Sequence, residues 1–198
     1  MQQTSTAISD LILAFTSFGT AFSLLRLNTF ASVGFFLMGA AASCGVYRFS
    51  RTTPSNQVLY WHQTMAWVAT ILGMSLVASG FHRHYNNSIM SAIHMGSALA
   101  LMILSSATSI LTSNTQALLV SSVSSAAVVS IGVFSALHTN PFGILGAVFY
   151  VVAGAVGTKG EFAGVLCVDW FHFVLAFANI VFFRAFSYDN AHVFYKEG

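Results

Sequence analysis

Charge is what this sequence has least of. Seven Lys and Arg plus five Asp and Glu make twelve charged residues in 198, or 6%, where an ordinary soluble domain carries about 25%. So few charges cannot cover the surface of a water-soluble globule. No run of Lys or Arg occurs, and a formal net charge of +2 is too small for a protein that grips a phosphate backbone, which excludes nucleic acid as a partner. Proline occurs twice, at Pro54 and Pro141, in a loop and at a helix start, so the apolar runs carry no proline kink. Cys44 and Cys167 both sit inside apolar runs, where small buried thiols rather than a disulfide are expected. Nucleophile–base pairs, Gly-rich phosphate loops and haem-type His pairs are also missing. The chain is therefore not read as an enzyme, and no cofactor is expected. The last apolar run has no lysine to carry retinal as a Schiff base, which disposes of an opsin.

Present instead is an excess of apolar side chains: 56% of residues are hydrophobic and Phe alone occurs 19 times. The solvent for such a chain is lipid, whose core takes about 20 apolar residues per helix. Seven runs meet that length, at 6–25, 28–48, 60–82, 88–109, 116–138, 141–158 and 164–186. Arg26 at the centre of one long helix would be costly in lipid, so the first two runs are read as separate spans. The start, MQQTSTAISD, has no basic stretch and places Asp10 at the edge of the first run, so a spanning helix rather than a cleaved signal peptide is expected. Arg48, Arg51 and Lys159 fall on the N-terminal side, and Arg26, Arg83, Arg184 and Lys196 on the other. Three against four sets no orientation, and nothing in the sequence indicates which membrane. The sequon Asn86-Asn87-Ser88 lies in too short a loop for a glycan to be expected.

The chain says one phrase twice. AFSLLRLNTFASVG at 21–34 and VFSALHTNPFGILG at 133–146 share Phe22/Phe134, Ser23/Ser135, Leu25/Leu137, Asn28/Asn140, Phe30/Phe142 and Gly34/Gly146. The offset is 140 − 28 = 112 residues, without a gap. Tyr60-Trp61-His62 resembles Trp170-Phe171-His172 at an offset of 110. Spans 1–3 therefore recur as spans 5–7, with span 4 left over. Four spans separate the copies, so the repeats are parallel and related by an axis along the membrane normal. The reading is an all-α polytopic fold: a single transmembrane domain over 1–198, with repeat one at 6–82, a linker helix at 88–109, repeat two at 116–186 and a short tail at 187–198. Asn28 and Asn140 are expected at equivalent turns, capping spans 2 and 6.

This 3+1+3 plan is similar to that of the SWEET sugar transporters. The likeness stops at the plan, because this chain has no Pro-Gln dipeptide and lacks helix-kinking prolines. The stretches SDLIL (9–13), WVATILG (67–73), Phe81-His82 and Asp169…Leu175-Ala176…Arg184-Ala185 resemble the transmembrane protein 276 family of animals. That resemblance implies a small polytopic protein and brings no activity with it.

Ionisable groups are costly in lipid, so each is a candidate functional residue. Asp10, His62, Asp169 and His172 fall in one layer near the N-terminal side. Asp169 and His172, at i and i+3, share a helical face and can hydrogen-bond; Asp169 is expected to find its polar partner in His172 or in a side chain of span 1 or 3. The cluster reads either as a proton-handling or metal site or as a structural network fixing helix packing, and the structural reading is preferred. His82, His84, His94 and His138 lie toward the opposite side, but their spacing matches no known ligand pattern, so no metal is expected. Span 7 offers Asp169-x-x-His172 alone and lacks the paired His of ceramidase-type hydrolases, which leaves a metal-dependent lipid hydrolase as a distant third reading.

The midplane carries no charge. Trp67, Thr70 and Asn179 form the candidate solute-binding set, beside Ser121, Ser122, Ser124, Ser125 and Ser130 of span 5. The plainer reading is close packing through small residues, as at Gly39-x-x-x-Ser43 and Ala153-x-x-x-Gly157. The leading functional expectation is thus a non-catalytic accessory subunit with a closed midplane, packing against the bilayer and other membrane subunits. The alternative is a facilitator for a small neutral solute held between spans 3 and 7.

Overall fold

In the computed structural model the described residues are 3–106 and 112–196, the side chains of 113 and 189–196 excepted. The fold is all-α and polytopic. Six helices are long and apolar enough to cross a membrane, and Pro141–Val156 is a shorter apolar helix. They are α1 (Thr4–Leu24), α2 (Thr29–Phe49), α3 (Asn56–His84), α4 (Ser88–Ser106), α5 (Ser113–Leu137), α6 (Pro141–Val156) and α7 (Cys167–Lys196). Residues 107–109 of the expected linker span lie outside the described residues.

Helix starts follow local chemistry. Asn28, Ser55, Thr112 and Asn140 each accept a hydrogen bond from a backbone N–H three residues on, which satisfies one of the free donors of the first turn. Pro141 follows directly at the start of α6, where its missing N–H is not needed. Most bounds shift by a few residues from the sequence reading, and three of the shifts have a local cause. Helix α3 starts at Asn56 rather than 60, because the Ser55 cap lies ahead of the apolar run. Helix α7 starts at Cys167 rather than 164, after a hairpin of β1 (Glu161–Phe162) and β2 (Val165–Leu166) turned by Ala163 and Gly164 at positive φ. It also continues through the expected tail to Lys196, since SYDNAHVFYK contains no Gly or Pro to stop it.

One feature has no counterpart in the sequence reading. Residues Ala69–Gly73 form a turn of π-helix inside α3, in which i→i+5 bonding displaces the carbonyls of the ladder. The Thr70 carbonyl there accepts a hydrogen bond from the Ser124 hydroxyl of α5 at 2.8 Å.

Between helices in lipid, association rests on packing and interhelical hydrogen bonds rather than on the hydrophobic effect. Small residues set the approach. A Cβ on Gly34 of α2 would meet the Gly73 carbonyl of α3 at 2.6 Å, and one on Gly39 would meet the Phe18 ring of α1 at 2.9 Å. Away from the N-terminal side the helices close on a core of Leu24, Phe35, Phe81, Ile131, Phe182 and Phe186, all essentially inaccessible.

The repeated phrase has a structural counterpart. The Asn28 amide donates to the Gly80 carbonyl of α3 at 2.7 Å while its oxygen caps α2 through the Ala31 N–H. The Asn140 amide donates to the Ala185 carbonyl of α7 at 2.8 Å while its oxygen caps α6 through the Gly143 N–H. Each asparagine thus ties the start of one helix to the far end of the next. Met38 and Tyr150 stand 112 residues apart and touch, sulfur to hydroxyl, at 3.2 Å. Gly80 and Ala185 differ by 105, as do Phe81 and Phe186, whose rings meet edge-on at 5.5 Å. The last helices of the two halves therefore align at 105 at this end, not at the 110 that pairs His62 with His172 in sequence. The one-residue excess of the π turn accounts for part of that difference.

Candidate functional site

Residues of α1, α2, α3, α5, α6 and α7 line a partly open cavity of about 1090 Å³. It begins at the N-terminal end of the bundle, beside His62, Gln116 and His172, and reaches down to Met38, Met74 and Tyr150. The expected closed midplane is found around Asn179, whose amide is held by hydroxyls, but not beside Trp67 and Thr70, where the cavity lies. Two features keep it open. The first part of α3, Asn56–Val68, buries no residue; above the π turn this helix packs on α2, where Arg48 bonds His62, and leaves its other side to the cavity. The α5 face opposite presents Ser121, Ser124, Ser125 and Ala117, whose short side chains cannot fill the gap.

Of the candidate solute-binding set, Trp67 and Thr70 line this cavity, and Thr70 is exposed within it. Its hydroxyl donates to the Ala66 carbonyl at 2.7 Å, leaving the oxygen's acceptor side unclaimed by that bond. Asn179 does not line it. It is 0% exposed, donates to Ser17 Oγ at 2.9 Å and accepts from the Tyr150 hydroxyl at 2.7 Å. Its backbone oxygen accepts from Thr20. The helical period turns Asn179 toward α1 instead of toward the gap, so it braces the floor from beneath. Tyr150, which faces the cavity above it, is the residue that sequence reading missed. Only its place in the second half, 112 residues after Met38, marks it in the sequence.

The polar layer divides in two. His172 Nδ1 lies 3.4 Å from Asp10 Oδ1 and 3.1 Å from Ser9 Oγ. The Ser9 hydroxyl also lies 3.2 Å from Asp169 Oδ1 and 3.0 Å from the Thr6 carbonyl. Asp169 therefore takes its partner from span 1, one of the two expected sources, and is joined to His172 through Ser9. Asp10 is 3% and Asp169 1% exposed, and the second oxygen of each carboxylate has no hydrogen-bond partner. Asp10 sits in the notch left by Gly45 of α2, which any Cβ there would invade. His62 belongs to a separate pair, its Nδ1 accepting from Arg48 Nη1 at 2.9 Å. Asp10, His62 and His172 all border the cavity.

On the far side His82 and His94 stack at 5.2 Å, and both Nε2 atoms reach Ser130 Oγ, at 3.2 and 2.8 Å. Among the described residues no three His, Cys, Asp or Glu side chains are grouped to hold a metal ion. The lining of the cavity below its rim carries Ala, Val and Met with a few hydroxyls, one indole and no charge, which suits an uncharged ligand with some apolar surface. No protein-family model, curated protein or solved structure matches the chain.

Proposed function

We propose that this chain carries a small neutral solute across the membrane, in the cavity between its two three-helix halves. The observation that supports the reading is the cavity itself: about 1090 Å³, against the roughly 300–1,000 Å³ of ordinary small-molecule sites. Below the layer of Asp10, His62 and His172 its wall carries no charge, and Trp67, Thr70, Ser124 and Tyr150 supply an aromatic face and hydroxyls for a ligand's polar groups. The accessory-subunit reading requires a filled midplane, and the cavity favours carriage instead. The solute would enter from the N-terminal side and meet a floor of Met38, Met74 and Tyr150. Release on the other side requires the Phe81–Phe186 contact beyond that floor to part. Internal symmetry supports such an exchange, since equivalent residues meet along the line that divides the halves.

The test begins with Cys44 and Cys167 replaced by serine and Ser124→Cys introduced. A membrane-impermeant maleimide should label this variant in vesicles from the N-terminal side only. Ser17→Cys, bonded to Asn179 below the floor, should stay unlabelled. Proteoliposomes should then take up at least one of glucose, glycerol and urea faster than protein-free vesicles, and that solute should slow labelling of Ser124→Cys. Equal labelling of both cysteines, or no protein-dependent uptake, would refute carriage.

A further inference from the structure

The carboxylate cluster on the cavity wall is short of hydrogen-bond donors. Two carboxylates bring four acceptor oxygens, and the Thr6 carbonyl, already an acceptor in the α1 ladder, competes with them for the Ser9 hydroxyl. Against them stand the single hydroxyl proton of Ser9, shared between Thr6 O and Asp169 Oδ1, and whichever proton His172 Nδ1 carries toward Asp10. Asp10 Oδ2 and Asp169 Oδ2 are buried with no donor at all. Buried acceptors are ordinarily satisfied, and an exception calls for an unrecorded partner. The charge count runs the same way, because two anions side by side in a membrane interior disfavour each other. Among the described residues the charged or titratable groups acting on Asp10 are Asp169 and His172 from α7, Arg48 from α2 and, through His172, His62 from α3. The nearest full cation, Arg48, spends its Nη1 hydrogen bond on His62.

We propose that Asp10, Asp169, Ser9 and His172 form a proton-binding site on the cavity wall, and that its occupancy is coupled to movement of the solute. The ligand is a proton rather than a sodium ion, because among the described residues no three His, Cys, Asp or Glu side chains, these included, are grouped around one point to hold a metal ion. Coupling follows from position. His172 and Asp10 border the cavity while Asp169 lies behind them, so any rearrangement that closes the cavity also moves this site between α1 and α7. The coupling half of the proposal rests on the carriage reading; the binding half does not.

The binding half is tested on the purified full chain in nanodiscs, by infrared difference spectroscopy of the carboxyl C=O stretch during a pH titration. A protonated carboxyl band should titrate in the wild type and be lost or shifted in Asp10→Asn and in Asp169→Asn. Should either variant fail to fold, Ser9→Ala and His172→Gln keep both carboxyls and should shift the midpoint. A band absent throughout, or a midpoint indifferent to all four changes, overturns the site, as does a midpoint set by sodium concentration. The coupling half uses proteoliposomes loaded with a pH-sensitive dye and given a gradient of whichever of glucose, glycerol and urea is carried. Lumen pH should move with solute, and Asp10→Asn should cut that movement about tenfold, within the usual span of coupling between sites. Solute carried with constant lumen pH overturns coupling and leaves carriage standing. A titrating band with no solute carried overturns carriage, and coupling with it, and leaves the proton site standing.

Discussion

Asn179→Ala separates a brace from a ligand. In the structure this amide is fully buried beneath the cavity floor, donating to Ser17 Oγ and accepting from the Tyr150 hydroxyl. Its removal orphans two hydroxyls. A buried polar group left unpaired costs about 1–3 kcal/mol, while hydrogen bonds between membrane helices average only about 0.6 kcal/mol and reach about 1.7. The membrane figures apply here, so two lost bonds plus the void left by the amide give a loss of about 2–3 kcal/mol. Tyr150→Phe removes one of the same bonds and should cost about 1 kcal/mol. Because the two side chains share that bond, the double variant should be less destabilised than the sum by about 1 kcal/mol, beyond the roughly 0.3–0.5 kcal/mol scatter of independent sites. The assay is reversible unfolding in mixed micelles with increasing dodecyl sulfate, followed by tryptophan fluorescence. Additive losses would show that the Tyr150–Asn179 bond is not a working contact. Wild-type stability with abolished uptake would show that Asn179 touches solute, and would refute its placement under the floor.

Gly154 lines the cavity with nothing within 4 Å of a Cβ placed on it, so Gly154→Phe should leave the unfolding midpoint nearly unchanged and reduce solute uptake about tenfold, checked on one preparation. Gly45→Ala should lower the melting temperature because its methyl enters the space of the Asp10 carboxyl, and adding Asp10→Ala should restore part of the loss. Asn28→Ala and Asn140→Ala should each lower stability by about 1.5–2 kcal/mol, a cap of about 1 plus one or two interhelical bonds, with Asn140 the more costly because it also donates to the Tyr85 hydroxyl.

Seven apolar stretches were legible because a bilayer imposes a length on every span, and the caps at Asn28 and Asn140 because an amide oxygen can satisfy a first-turn N–H wherever it stands. The π turn at Ala69–Gly73 was not legible: WVATILG contains neither proline nor an insertion visible in a single chain, and its carbonyl displacement depends on Ser124, which is 54 residues away. The cavity was misread for a related reason. Serine and alanine on α5 look the same in sequence whether they admit a neighbouring helix or border a gap, and the side on which α3 packs above the π turn decides between the two. Asp10, Asp169 and His172 stood out through the cost of ionisable groups in lipid. Ser9, which joins them, is one serine among many and gains its role only where α1 meets α7.

The two asparagine ties lie at the end of the bundle opposite the cavity mouth, next to the meeting point of Phe81 and Phe186. Each half is thereby stapled to itself where it also presses on the other, while at the cavity end Ser9 and Asp10 of α1 are fastened to Asp169 and His172 of α7. The α1–α7 seam is therefore the fastened side of the cavity, and the gap between α3 and α5 is its free edge. A 20-residue helix is about 30 Å long, so a tilt of about 10° in α3 or α5 would carry its tip about 5 Å. The same arrangement makes leverage unequal: a methyl group added near Phe81 has to move the whole helix, whereas one added near Gln116 moves only itself.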